Sequence, residues 1–164
     1  MSIGELLGAD RFDIWPHLVA LVSAYLLALP IGWNREKEER TAGLRTFPLV
    51  AVATCGFVQA VEGTMGHSPD AMARVLEGVI VGMGFIGGGA ILRLKHSVKG
   101  TATAASLWVT GAMGVAVGLG SLDVAVVLTI VTFFTLFVIS PLKEAVEAEK
   151  KDDPEKLDPD EAEV

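Results

Sequence analysis

Charge is nearly absent from five long stretches of this chain, and that scarcity organises the rest. The sequence has 164 residues, 51% of them hydrophobic, yet its Lys, Arg, Asp and Glu fall almost wholly in short clusters between apolar runs. That length suits one domain. Cysteine occurs once, at Cys55, which excludes an intrachain disulfide and any cysteine-based metal site. His67 has no second His or Cys near it in the sequence, so metal ligation there is not expected. No Ala-x-Ala site follows the first apolar run, and the first 13 residues carry three acids against the single Arg11. A cleavable signal peptide is therefore not expected. No nucleophile–base–acid constellation occurs within the apolar runs, so neither an enzyme nor a cofactor is expected. The net charge of −7 belongs mostly to the tail, where ten acids face four lysines from Lys143 onward. It argues only against nucleic-acid binding.

What is present is hydrophobic length. Apolar runs at residues 16–33, 47–61, 75–92, 101–119 and 122–139 predict five membrane-spanning helices, an all-α polytopic bundle. A short amphipathic segment, residues 1–15, precedes this 16–140 membrane domain, and an acidic, largely disordered tail is expected over 141–164. The second run is short and is expected to borrow residues at both ends. Residues 61–74 carry every turn signal and read as a loop. Pro30 is expected to kink or end the first helix. Tyr25, Gln59 and Trp108 each have a polar group that calls for a partner inside the bundle. The fifth run has few small residues and is expected to face lipid more than the third and fourth.

Five spans put the two termini on opposite sides. With the N-terminus outside, the inner segments hold Arg35, Lys37, Arg40, Arg45, Arg93, Lys95, Lys99 and the four tail lysines. The outer segments hold only Arg11 and Arg74. The positive-inside rule then predicts N-out, C-in.

Residues 77–108 combine a glycine-rich run with a basic loop and a second run rich in Ala, Thr and Ser. Each glycine costs an isolated helix about 1 kcal/mol relative to alanine. In a bilayer the helix forms regardless, and absent side chains let another backbone approach. Gly78 and Gly82, Gly84 and Gly88, and Gly114 and Gly118 are each spaced i,i+4, the small-residue spacing of helix contacts within or between subunits. The stretch is expected to be the tightly packed centre. Gly82, Gly84 and Gly87 also match G-x-G-x-x-G, but no Asp or Glu occurs between Glu77 and Asp123 to hold a ribose, which argues against nucleotide binding.

The candidate binding site is an inner-surface polar cluster of Asn34, Arg35, Arg45, Thr46, Arg93, Thr103 and Ser106, where two basic loops return to the bundle. The same groups could instead anchor the loops to lipid phosphates. On the outer side, Glu62, Glu77 and Asp123, with Asp70 in the loop, offer oxygen ligands for a cation. Negative charge at a helix N-terminus is the simpler reading for Glu77 and Asp123, so no metal is assigned. No charged residue lies near the middle of a span, as an ion path usually requires.

Three segments together carry a resemblance: ALPIGWNREKEERTAGLRTFPLVAVA, GVIVGMGFIGGGAIL and VKGTATAASLWVTGAMGVAVGLG. In order and spacing the chain resembles the MgtC/SapB family of bacterial inner-membrane proteins over residues 25–138. The resemblance implies a five-helix membrane domain, a bacterial inner-membrane location, and a link to low-magnesium adaptation or survival inside macrophages. It implies a regulator acting on the membrane ATP synthase and not a magnesium transporter. The chain departs from the pattern at Trp33-Asn34-Arg35 and at residues 100–106, and only a short acidic tail stands where virulence-type members carry a folded cytoplasmic domain. The expectation is thus a non-enzymatic membrane regulator held in the lipid bilayer, alone or as a homo-oligomer. The alternative is a small oligomeric cation transporter or channel.

Overall fold

A computed structural model describes residues 14–38, 42–65, 68–94 and 97–139. The amphipathic segment before Ile14, Arg40, His67, Lys95 and the acidic tail, all assigned from sequence, lie outside these residues. Among the described residues five helices are long and apolar enough to cross a membrane. They are α1 (Ile14–Lys37), α2 (Thr46–Met65), α3 (Pro69–Gly89), α4 (Thr101–Gly118) and α5 (Leu122–Phe134), the last continued by a π-helical turn, Thr135–Ile139. A two-stranded antiparallel hairpin, β1 (Leu92–Leu94) and β2 (Ser97–Lys99), joins α3 to α4 with Arg93 opposite Val98. The chain is all-α in its spanning part, as the apolar runs predict. Hydrocarbon supplies no partner for backbone polar groups, so each span must bond to itself.

Several boundaries differ from expectation. Residues 61–74 are not a loop, because α2 runs to Met65 and α3 begins at Pro69. Ser68 caps α3 by accepting from the Ala71 N–H at 3.4 Å, Pro69 fills the first turn, and Asp70 follows. Ser-Pro-Asp is a helix start, and the turn signals there mark a boundary only. Pro30 does not end α1, which continues to Lys37. At the far end of α3 the helix stops at Gly89, so Leu92 leaves it for β1. Gly100, at φ +91°, then turns the chain into α4. A β-carbon there would overlap the Ala90 carbonyl, so this position needs glycine on both counts.

The centre of the bundle is α4, packed on all four other helices. It buries the largest share of its residues, and α3 buries the smallest. This overturns the expectation that the glycines of α3 form the tight centre, and that α5 faces lipid more than α3 does. The glycines that admit neighbours are on α4. Gly114 lies against the Ala51 carbonyl and the Thr54 hydroxyl of α2, and Gly118 against Val58 and the Cys55 carbonyl. Gly111 receives the Met83 side chain from α3, and Gly87 of α3 lies over Ala104. By contrast, no heavy atom of another element among the described residues comes within 4 Å of a β-carbon built at Gly78, Gly82, Gly84 or Gly88. Helical spacing makes a small face available, but whether it is covered depends on where the other helices lie.

Candidate functional site

At the end of α1 the helix turns back towards α2, and a polar lock forms. Arg35 is only 1% exposed. Its Nη2 donates to Asn34 Oδ1 at 2.7 Å and to Glu38 Oε1 at 2.9 Å, and its Nε donates to Asn34 at 3.2 Å. Glu36 reaches the next segment, where its carboxylate accepts the Leu44 N–H at 3.1 Å directly over Gly43. Gly32 lies against Gly43 and Leu44, and the Gly43 carbonyl accepts from Thr46 and Phe47 to start α2. Lys37 rests over the Trp33 ring at 5.4 Å, an arrangement suited to an interface.

Among the described residues, no identified side-chain hydrogen bond joins the members of the sequence-predicted cluster from different elements. Asn34 and Arg35 belong to this lock. Arg45 is exposed and Thr46 half-buried at the start of α2, where both line a cleft. Thr103 and Ser106 are buried in α4. Ser106 Oγ donates to the Thr103 carbonyl at 3.0 Å, and Thr110 Oγ1 to the Ser106 carbonyl at 2.8 Å. The Ser106 and Thr110 hydroxyls are thus spent within their own helix. Arg93 is placed by its backbone in β1, paired with Val98. Among the described residues, no side-chain hydrogen bond links Arg45 or Thr46 to Thr103 or Ser106. The pattern missed Glu36, Glu38 and Gly43. The i,i+3 spacing of Arg35 and Glu38 was the available signal for one of these contacts.

Three polar groups expected inside the bundle have no hydrogen bond among the described residues: Tyr25, Gln59 and Trp108. Tyr25 and Trp108 are exposed, and Trp108 borders a shallow cleft with Leu76, Val79 and Ile80. The outer acids Glu62, Glu77 and Asp123 sit on three different helices. Among the described residues no three His, Cys, Asp or Glu side chains gather to hold a metal ion.

Two further surfaces bear on binding. One is a cleft of about 770 Å³ between α2 and α3, lined by apolar side chains, Gly78 and Gly82, with Arg45 and Thr46 at one end. The other is the face of α3 bearing Val81, Gly84, Phe85 and Gly88, one helical stripe at i, i+3, i+4 and i+7. Val81 is 70% exposed and Phe85 85%.

Comparison with known proteins fits this architecture. Protein MgtC of Salmonella typhi is 35% identical over 149 residues, covering 87% of this chain and 63% of that protein. Protein MgtC of Salmonella typhimurium strain LT2 is 38% identical over 122 residues, covering 74% of this chain and 52% of that protein. Protein SrpB of Synechococcus elongatus is 38% identical over 135 residues, covering 75% and 72%. The chain thus spans between half and two thirds of the length of the MgtC relatives it matches. No solved structure matches it. The sequence pattern of the MgtC family matches residues 21–145. This chain, a multi-pass membrane protein, belongs to the MgtC family.

Proposed function

We propose that this protein is a non-enzymatic regulator in a bacterial inner membrane, oriented N-out and C-in, that binds another membrane complex through the outward face of α3. The observation that carries this reading is the stripe Val81, Gly84, Phe85 and Gly88. Both glycines have open space at their β-carbons, and the two large apolar residues beside them are exposed. In lipid there is no hydrophobic drive to join two helices, so close backbone approach and dispersion supply the attraction. A glycine pair flanked by Val and Phe offers both. The family resemblance points to ATP synthase as the complex and magnesium limitation as the condition.

The transporter alternative gains no support from the bundle. The buried Ser106 and Thr110 hydroxyls of α4 are tied to its own backbone, and the outer acids form no group of three among the described residues.

Crosslinking in native membranes followed by co-purification tests the reading. Gly84→Leu with Gly88→Leu is expected to lower partner recovery about tenfold, equivalent to about 1.4 kcal/mol of contact. Val127→Leu, on the exposed side of α5, serves as control. Unchanged recovery in the double variant rejects the α3 face. Crosslinks found only between copies of this chain reassign it to self-association.

A further inference from the structure

The cleft between α2 and α3 is separate from the stripe proposed above, and its two ends differ in chemistry. Its walls are almost wholly apolar, formed by residues such as Leu49, Ala53, Phe57, Val79 and Ile86. Its floor is widened by Gly78 and Gly82, whose missing side chains leave open space. Its volume of about 770 Å³ is that of a small-molecule site. Among the described lining residues Arg45 is the only cation, and it stands at one end with Thr46 beside it. The Arg45 guanidinium has no hydrogen bond or ion pair among the described residues. The nearest described acid in sequence, Glu38, is paired with Arg35, and Glu36 is engaged with the Leu44 N–H. Arg45 also immediately precedes α2, whose N-terminal dipole favours an anion at that end.

We propose that this cleft is a binding site for an anionic phospholipid, with the phosphate at Arg45 and an acyl chain along α2 and α3. The trough is long enough. Its α3 side runs from Ile86 to Val75, about 16 Å of helix, and its α2 side from Arg45 to Val61, about 24 Å. Both exceed half of a hydrocarbon core about 30 Å thick, the depth one leaflet's acyl chain occupies. A long apolar trough with one cation, unpaired among the described residues, at its interfacial end is complementary to an amphiphile with one anionic head.

Native mass spectrometry of the full chain in detergent, with phosphatidylglycerol and phosphatidylcholine added in equal amounts, tests this. The protein is expected to retain phosphatidylglycerol about fivefold over phosphatidylcholine, the preference one interfacial arginine supplies. Arg45→Gln is expected to bring the ratio to parity while lipid is still retained. Gly82→Leu is expected to lose both lipids by filling the trough. That variant is sterically free to fold, since nothing lies within 4 Å of its β-carbon. Slow alkylation of buried Cys55 verifies that each variant is folded. Equal retention of the two lipids by the unmodified protein overturns the proposal. So does a phosphatidylglycerol preference that survives both substitutions. A dimer that Gly82→Leu dissociates, with lipid retention unchanged, also overturns it and assigns the cleft to a second copy.

Discussion

Gly114 lies directly against Thr54, so closely that a β-carbon at position 114 would overlap the threonine hydroxyl oxygen. That hydroxyl is itself fixed, donating to the carbonyls of Val50 and Ala51 at 3.0 and 3.1 Å. The α2–α4 contact is therefore set by backbone approach. Gly114→Val is expected to destabilise the bundle by about 1–3 kcal/mol through overpacking. Gly84→Ala, on the open face of α3, should be neutral or stabilising by about 0.5–1 kcal/mol. Thermal unfolding in detergent, followed by alkylation of Cys55 as it becomes exposed, distinguishes the two. Equal effects at both sites would refute the packing.

Gly100 joins the hairpin to α4 at positive φ, with no room for a β-carbon beside the Ala90 carbonyl. Gly100→Ala should cost at least about 1 kcal/mol from backbone strain alone. The same unfolding assay reads it, and an unchanged midpoint would show that the turn relaxes.

Glu36 and Gly43 should behave as one unit. The carboxylate holds the Leu44 N–H, and a β-carbon at 43 would strike the Glu36 side chain. In a cycle of Glu36→Ala, Gly43→Ala and the double variant, the double loss should fall short of the summed losses by about 1 kcal/mol. Strict additivity would separate the two residues.

Arg35 bridges Asn34 and Glu38 from a position almost closed to solvent. Arg35→Gln should lower stability by about 2 kcal/mol, because charged hydrogen bonds are lost at a partly buried site. Arg35→Lys should recover little of this, since an ammonium cannot reproduce the planar fork. Recovery by lysine would show that charge alone matters there.

Proteoliposomes holding only this protein should pass no magnesium above the lipid background, and Glu77→Gln should change nothing. Flux abolished by that substitution would replace the regulator reading with a transporter and make the outer acids its site.

The spans were legible because they depend on composition along one dimension. The apolar run at 122–139 and the helix that occupies it coincide, and residues 101–119 place α4 to within one residue. The cap at Ser68 was also written in the sequence, as Ser-Pro-Asp, but turn signals around it obscured the start of α3. The binding cluster was less legible. Arg45 and Thr103 are both polar residues near the same end of the bundle, yet one borders an open cleft and the other is buried in α4. Sequence position gives the depth of a residue in the bundle and not the direction in which it faces.

Sequence by itself determined that this chain crosses the membrane as five helices. An apolar run of that length has no other way to satisfy its backbone polar groups in hydrocarbon. Only the tertiary structure decided which glycines are covered. Gly84 and Gly88 carry the same i,i+4 spacing as Gly114 and Gly118, but α4 stands among four neighbours while the outward face of α3 meets none among the described residues. Spacing is a property of one helix, and burial is a property of the helices around it.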